Sequence, residues 1–411
     1  MTPFLQLIFM IAIIVLAAKA GGYLSTRIGQ PSVFGELIVG LLLGPSLINL
    51  THLPFVTDTH LPEVIAELGE IGVLLLMFIA GTELNLGELA RNTKVAAYGG
   101  TLGVVLPVAL GAGVGFLFGM DFNHAAFLGL TLGATSVSIS AQTLMELGTL
   151  RSRVGLGLLG AAVFDDILVI LLLSISTALL IGGSGGGAME VLVIVVRMVA
   201  FLVLAVLVGL WIIPKLVRGI SRLPVSQGLV SLAIVILIIY GVSAEILGGM
   251  AAITGTFIAG LMFGRTSERS RIENGISALA YSLFVPIFFV NIGLQVNVRE
   301  LQASALLLLL AISVVAVLGK IFGSGLGSWL GGFDLRESFQ LGVGMVSRGE
   351  VGLIVASVGL SAGLLDQTIF SAVVGMVLIT TLVTPPMLRA AFAANTAAKP
   401  EVVGRSETMN E

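Results

Sequence analysis

The stretch Gly160-Ala161-Ala162-Val163-Phe164-Asp165-Asp166-Ile167-Leu168-Val169-Ile170 places two adjacent carboxylates near the middle of an apolar run over residues 154–181. A run of this length is long enough to cross a membrane as one helix. A lone charge at that depth costs at least ~2.5–3.5 kcal/mol. The two acids therefore need a proton, a cation from elsewhere in the chain, or a bound ion.

The composition is that of an integral membrane protein. Hydrophobic residues make up 57% of the 411-residue chain and charged residues 10%, with a mean hydropathy of +1.11, whereas soluble domains carry about 25% charged residues. The absence of cysteine excludes disulfides, iron–sulfur clusters and thiol catalysis. The net charge of −3 gives no indication of a nucleic-acid partner, and the expected partner is the lipid bilayer.

Apolar segments of about 17–25 residues each fit one membrane crossing, and the sequence contains thirteen such segments. The predicted fold class is therefore an all-α polytopic membrane protein with thirteen transmembrane helices. The predicted spans are 4–24, 33–50, 64–84, 95–118, 124–147, 154–181, 189–213, 226–246, 249–264, 275–293, 302–330, 337–361 and 367–389.

Basic residues test this number of spans, because Lys and Arg concentrate in cytoplasmic loops. The loops after the odd-numbered spans and the C-terminal end hold sixteen of the twenty, and the opposite loops hold only Arg299. The remaining three, Arg197, Lys320 and Arg348, fall inside spans. This alternation predicts an N-terminus outside and a C-terminus in the cytoplasm. The sixteen residues are Lys19, Arg27, Arg91, Lys94, Arg151, Arg153, Lys215, Arg218, Arg222, Arg265, Arg269, Arg271, Arg336, Arg389, Lys399 and Arg405.

The thirteen spans divide into two inverted six-helix repeats joined by the seventh span. The first six begin outside and the last six begin inside, and proteins built in this way place their binding site at the midplane, where matching helices break. The fifth span of the first half contains the polar stretch 133–140, and the fifth span of the second half contains 342–350. We therefore expect a crossed pair of discontinuous helices at these two stretches.

The residues at these breaks have two interpretations. The hydroxyls of Thr135, Ser136 and Ser138 either satisfy backbone groups that the break frees or act as ligands of an ion. Helix ends carry about half an elementary charge, and Arg348 and Glu350 are expected to compensate such ends rather than to bind the ion.

Asp165 and Asp166 are predicted to have different roles, because adjacent residues on a helix point about 100° apart. Lys320, midway along the eleventh span, is the expected cation partner for one of them. Lysine changes its pKa readily on burial, which suits a proton-linked role. The alternative is a permanent salt bridge that only braces the helices, but one lysine cannot neutralise two aspartates.

The sequence contains no Ser-His-Asp arrangement, P-loop or dinucleotide fingerprint. Residues 182–187 are Gly-rich, but no strand precedes them and they lack a Lys, so they are expected to form an outer loop rather than a phosphate site. We therefore predict neither enzymatic activity nor a cofactor.

Together these features resemble the monovalent cation:proton antiporters, in particular their CPA2 branch. The resemblance covers nearly the whole chain. Its more specific motifs are Phe164-Asp165-Asp166 after Gly160-Ala161-Ala162, Thr135-Ser136, Lys320, and Ser347-Arg348-Gly349-Glu350-Val351-Gly352-Leu353. Its less specific motifs are Gly35-Glu36-Leu37-Ile38-Val39-Gly40 with Leu43-Gly44-Pro45, and Leu75-Leu76-Met77-Phe78 followed by Gly81-Thr82-Glu83-Leu84.

The resemblance implies an electrogenic sodium/proton antiporter of the bacterial inner membrane that acts as a homodimer with an elevator-like movement. Asp166 would bind the sodium ion or the proton, with Asp165 as the second acid of the metal site and the partner that releases or captures Lys320. Electroneutral relatives usually carry Asn at the first acid, and glutathione-gated potassium efflux members carry Gln-Asp and a nucleotide-binding domain. The Asp-Asp pair argues against both subgroups.

The resemblance also implies a division of the transmembrane region 1–390 into two domains. The mobile core would comprise about 95–181 and 302–390, and the dimerisation scaffold about 1–60 and 189–293. Residues 391–411 are expected to form a short polar cytoplasmic tail.

Three other functions stay open at this point. A potassium/proton exchanger would use the same architecture, because selectivity depends on cavity geometry. A gated cation channel would require the same intramembrane charges. A receptor or scaffold without transport would need neither the aspartate pair nor Lys320.

Overall fold

The protein is described here by a computed structural model covering residues 2–53, 56–84, 92–180, 188–295 and 303–396. All regular elements in these ranges are helices. Within these ranges, ten helical segments are long and apolar enough to cross a membrane, and three shorter apolar helices accompany them. The all-helical membrane fold is therefore as predicted, and each predicted span coincides with a helix or a pair of half-helices.

We number the α-helices in chain order. They are α1 (Pro3–Arg27), α2 (Ser32–Leu43), α3 (Leu61–Glu83), α4 (Thr93–Leu117), α5 (Phe122–Gly133), α6 (Val137–Glu146), α7 (Arg153–Leu180), α8 (Ala188–Ile220), α9 (Gly228–Ser243), α10 (Ala252–Phe263), α11 (Arg269–Leu279), α12 (Val285–Leu294), α13 (Ala303–Leu330), α14 (Leu335–Gly344), α15 (Glu350–Ser361) and α16 (Gln367–Thr396). Short π-helical segments, Ala244–Gly248 and Ala280–Phe284, extend α9 and join α11 to α12.

Several predicted boundaries were wrong. The second span was expected to reach residue 50, but α2 ends at Leu43 with an extended Gly44; Pro45 follows, and a residue before proline disfavours the helical conformation. The polar tail was expected from residue 391, yet α16 continues to Thr396. The predicted Gly-rich loop at 182–187 lies outside the described residues.

Contacts divide the helices into two sets. Helices α4–α7 and α13–α16 contact mainly one another, and we call them the core bundle. Helices α1–α3 and α8–α12 form the second set, the scaffold bundle. A continuous apolar cluster joins the two bundles through residues such as Met77 of α3 and Leu159 of α7. The third span, which the predicted division left unassigned, contacts mainly α10 and α12 of the scaffold.

The two halves of the chain repeat the same contacts. The α1–α2 contact corresponds to α9–α10, the α4–α5 contact to α13–α14, and the α4–α7 contact to α13–α16. Equivalent helices stand seven spans apart, so they run in opposite directions across the bilayer. This pattern is that of an inverted repeat, and it brings the two broken spans together in the core bundle.

Candidate functional site

The two helix breaks contact each other directly. The first break separates α5 from α6 at 134–136, and the second separates α14 from α15 at 345–349. The Ser136 N–H donates to the Ser347 carbonyl at 2.9 Å, and the Ser347 hydroxyl donates to the Ser136 carbonyl at 2.5 Å. Each break thus satisfies backbone groups that the other leaves without a helical partner, as a break at membrane depth requires.

Two further features hold the crossing together. The Ser140 hydroxyl donates to the Gly344 carbonyl at 2.6 Å, which ties α6 to the end of α14. A Cβ atom on Gly349 would lie 2.6 Å from the Ser136 hydroxyl oxygen, so the close approach of the two breaks requires glycine there.

Arg348 lies at the centre of the crossing, fully buried. Its guanidinium donates to the carbonyls of Leu132 at 2.8 Å and Val346 at 2.7 Å. A longer bond reaches the Met345 carbonyl, and another reaches Ala316 on α13 at 3.2 Å. Leu132 lies at the C-terminal end of α5, and Met345 and Val346 follow α14. The side chain thus meets the partial negative charge of both half-helix ends, in the geometry expected for charge compensation.

Glu350, the other residue predicted for this role, is the first residue of α15, but its side chain lies outside the described part of the structure.

Lys320 and Asp165 form an ion pair in which both side chains are fully buried. Lys320 comes from α13 and Asp165 from α7, and the ammonium donates to Asp165 Oδ1. The two helices both pack against α4, so the pair lies inside the core bundle. The second carboxylate oxygen, Asp165 Oδ2, is buried as well.

Asp166 points toward the scaffold bundle instead. Its side chain is buried at 7% exposure and lies in a narrow, mainly apolar cavity between α6 and α7 of the core and α3 and α10 of the scaffold. The Thr254 hydroxyl, on α10, approaches Asp166 Oδ2 at 3.4 Å. The cavity is lined by Met77, Val137, Leu159, Ala162, Val163, Asp166, Ile253, Thr254 and Phe257.

The predicted hydroxyl residues lie in different surroundings. Thr135 is buried, and its side chain lies within hydrogen-bonding reach of the Asp165 carboxylate. Ser136 and Ser138 bond to each other at 3.1 Å. The backbone N–H and carbonyl of Ser136 also make the contacts of the crossing.

Sequence reasoning missed Thr254 and the structural role of Ser347. Thr254 is a hydroxyl in an otherwise apolar stretch, and Ser347 stands beside the more conspicuous Arg348. That signal is weak, because such a hydroxyl commonly bonds a carbonyl of its own helix.

Arg197, which had no evident partner in the sequence, is exposed on α8 and donates to the carbonyls of Ile246 and Leu247. Those carbonyls end the π-helical extension of α9, where a cation is favoured by the helix dipole. Arg197 thus joins α8 to α9 and lies outside the site.

Comparison with known proteins agrees with this architecture. A family model described as sodium/hydrogen exchanger, transmembrane, matches residues 11–394. The Na(+)/H(+)-K(+) antiporter GerN of Bacillus cereus is 41% identical over 95% of this chain and 97% of its own length. The Na(+)/H(+) antiporter of Enterococcus hirae is 33% identical over 94% of this chain and 98% of its own length.

A solved structure has the same fold. The sodium proton antiporter MjNhaP1 of Methanocaldococcus jannaschii superposes with a TM-score of 0.71 over the full length of both chains, at 17% sequence identity. The fold, the match over residues 11–394 and the two bacterial relatives lead to one conclusion: this multi-pass membrane protein belongs to the sodium/hydrogen exchanger family.

Proposed function

We propose that this protein exchanges sodium ions for protons across the membrane, with Asp166 as the group that binds one or the other. The observation that carries the proposal is the placement of the two acids. Asp165 is neutralised by Lys320 inside the core bundle, whereas Asp166 lies at the boundary between the bundles. One carboxylate is thus balanced within the protein, and the other faces the cavity that an ion would use.

The oxygen-bearing side chains proposed to bind the ion suit a small, hard cation. Such ions prefer carboxylate, carbonyl and hydroxyl oxygens. Asp165 Oδ2 and the Thr135 hydroxyl are both buried, and the Thr135 side chain lies beside the Asp165 carboxylate. We propose that these two groups and the Asp166 carboxylate, all within the core bundle, bind the sodium ion.

Exchange becomes obligatory because an ionised Asp166 without a bound cation is unfavourable inside the membrane. Moving it across the apolar barrier costs several kcal/mol, and a bound sodium ion or a bound proton removes most of that cost. Only the loaded forms therefore change sides. Sodium and proton cannot both occupy the same carboxylate, so one is released when the other binds.

Lys320 provides a second proton site in this proposal. When sodium binds between Asp166 and Asp165, the ion pair of Asp165 with Lys320 weakens, and Lys320 releases its proton. Return of a proton to the site restores the pair. Two protons then move for each sodium ion, so that transport carries net charge and is electrogenic.

The division into bundles supports an elevator-type movement, in which the core bundle carries the site past the scaffold bundle. The family implies that two copies assemble through their scaffolds as a homodimer in a bacterial inner membrane. We include both features in the proposal, with lithium as an alternative cargo ion.

Transport by purified protein in proteoliposomes tests the proposal. A sodium pulse outside is expected to alkalinise the interior as protons leave, as read by an enclosed pH dye. Asp166→Asn keeps the shape of the side chain but removes its charge, and we expect it to abolish the response. Normal exchange by Asp166→Asn would contradict the proposal, and single-channel currents would favour a gated cation channel.

A potassium/proton exchanger is the second candidate, because the name of the Bacillus cereus relative includes potassium as well as sodium. Potassium is the larger ion and needs longer distances to its oxygen ligands. Titration of the same proteoliposomes with sodium, lithium and potassium at several pH values distinguishes the two. A response to potassium that saturates at a lower concentration than the response to sodium would favour this candidate.

A further inference from the structure

The N-terminus of α2 is capped by a residue from the other bundle. The residue before α2 is Pro31, which offers no side-chain acceptor to the first turn. Instead the carboxylate of Glu146, the last residue of α6, accepts the Ser32 N–H at 2.6 Å and the Ser32 hydroxyl at 2.5 Å. A carboxylate at this position satisfies a free backbone N–H and the positive end of the helix dipole.

A chain of side chains keeps this carboxylate in place. The Gln142 amide, one turn earlier on α6, donates to Glu146 Oε1 at 2.9 Å. The Tyr281 hydroxyl in turn donates to Gln142 Oε1 at 3.1 Å. Tyr281 lies in the segment between α11 and α12, so scaffold residues hold Glu146 both directly and through Gln142.

Near Glu146 a second link, an ion pair, connects the core bundle to the scaffold bundle, and near Glu70 a cleft lies between the two bundles. Arg151, which precedes α7 in the core, lies 3.5 Å from Glu83 at the end of α3 in the scaffold. About 20 Å away along α3, Glu70 lines a cleft against α15 residues, including Ile354, Ser357 and Ser361. The bundles are therefore joined at the Glu146 end and separated at the Glu70 end.

We propose that Glu146 is a latch between the two bundles. Its bonds to Ser32 favour the state in which the transport site is closed at the Glu146 end, and they break each time the core bundle exposes the site there. The inference rests on the proposed exchange and adds to it a residue that sets the balance between the two access states. Glu146 bonds to Ser32 and Gln142, whereas Asp165 pairs with Lys320.

Proteoliposomes with a uniform protein orientation test the latch, because the half-saturating sodium concentration can be measured separately at each face. Glu146→Ala removes both bonds to Ser32. We expect the half-saturating concentration to fall at the Glu146 face and to rise at the opposite face, so that their ratio changes about fivefold, as for the loss of one helix cap. Ser32→Ala, which keeps the N–H, is expected to shift the ratio less in the same direction.

Glu337→Gln is the matched control. Glu337 pairs with Arg153 at 2.9 Å, but both residues belong to the core bundle. Its side chain also accepts the Asp334 N–H in the capping box that begins α14, and glutamine can keep that contact. The ratio should be unchanged in this variant. An unchanged ratio in Glu146→Ala would overturn the latch, and so would an equal change at both faces, which would mean that Glu146 acts on the ion site itself.

The cysteine-free chain allows a second test that does not depend on the stability of Glu146→Ala. A short bifunctional thiol reagent that joins Ser32→Cys to Glu146→Cys is expected to stop exchange, because it makes the latch permanent. Joining Arg153→Cys to Glu337→Cys within the core bundle should leave exchange intact. Continued exchange across the first crosslink would refute the latch, whereas absence of exchange in the unmodified protein would refute the proposed function instead.

Discussion

Asp165 and Lys320 neutralise each other where neither has contact with water. Removal of one partner leaves an uncompensated buried charge, so Asp165→Asn or Lys320→Gln alone is expected to lower the free energy of unfolding by about 3–5 kcal/mol. The double variant Asp165→Asn with Lys320→Gln removes both charges and should lose less than the sum of the two. Thermal unfolding of the purified proteins measures all three.

The pair formed by Arg153 and Glu337 is the control for this comparison. It is partly exposed, and such pairs contribute about 0–1 kcal/mol, so Glu337→Gln should hardly change the unfolding temperature. Additive losses in the buried pair would show that Asp165 and Lys320 do not depend on each other.

The sequence predicts the partner of some buried polar residues and not of others. Charge indicates that Lys320 faces one of the two acids, because only three cationic residues fall inside the predicted spans. They are Lys320, Arg197 and Arg348. Thr254 could not be identified from the sequence as the neighbour of Asp166, because Thr256 lies in the same apolar segment and looks equivalent. Thr256 bonds the Ile253 carbonyl of its own helix at 2.9 Å, whereas Thr254 reaches Asp166 on α7.

At the scale of elements, the crossing of the broken helices depends on Arg348. We expect Arg348→Ala to lower the free energy of unfolding by at least about 3 kcal/mol, since several buried carbonyls lose their donor and each such loss costs about 1–3 kcal/mol. Arg348→Lys keeps the charge but loses the planar fork, and should be intermediate. Thermal unfolding of the two variants gives this order.

Arg336→Ala is a control on α14, because this arginine is exposed in the first turn of that helix. It should unfold within a few degrees of the unaltered protein. If Arg348→Ala were equally stable, the guanidinium would not be compensating the two half-helix ends.

The sequence predicted the breaks themselves because polar residues interrupt both spans at equivalent positions of the two halves. It could not predict which carbonyls Arg348 would meet, since Leu132 lies 216 residues away along the chain. The bond between Ser32 and Glu146 was hidden for the same reason. Contacts between distant helices follow from packing, which a hydrophobic pattern does not specify.

For the molecule as a whole, the proposed stoichiometry moves one net charge in each cycle. Moving that charge across a membrane potential of 100 mV changes the free energy by ~2.3 kcal/mol. A potential of this size therefore shifts the steady-state ratio of sodium concentrations across the membrane about 50-fold. In Lys320→Gln the second proton site is lost, and the shift should shrink toward none. Sodium uptake into proteoliposomes at a fixed pH gradient and several imposed potentials measures the shift. An equal shift in both proteins would exclude Lys320 as a proton carrier.

The alternation of basic loops and apolar spans determined the architecture at this scale, because each crossing must be long, apolar and flanked by charge of the expected sign. The sequence predicted too great a length for α2. The helix ends at Leu43, and a turn and the 3₁₀ segment Leu50–His52 follow it. The span pattern predicted the two halves, whereas the division into a core and a scaffold came only from the family resemblance.

The central claim is that sodium and proton compete for one buried carboxylate, and calorimetry of the purified protein measures this directly. Sodium is titrated into the protein in buffers of different ionisation enthalpy, which reports the number of protons released for each sodium ion bound. We predict release of one to two protons by the unaltered protein and neither binding nor release by Asp166→Asn. Sodium binding without proton release, or unchanged binding by Asp166→Asn, would contradict the account.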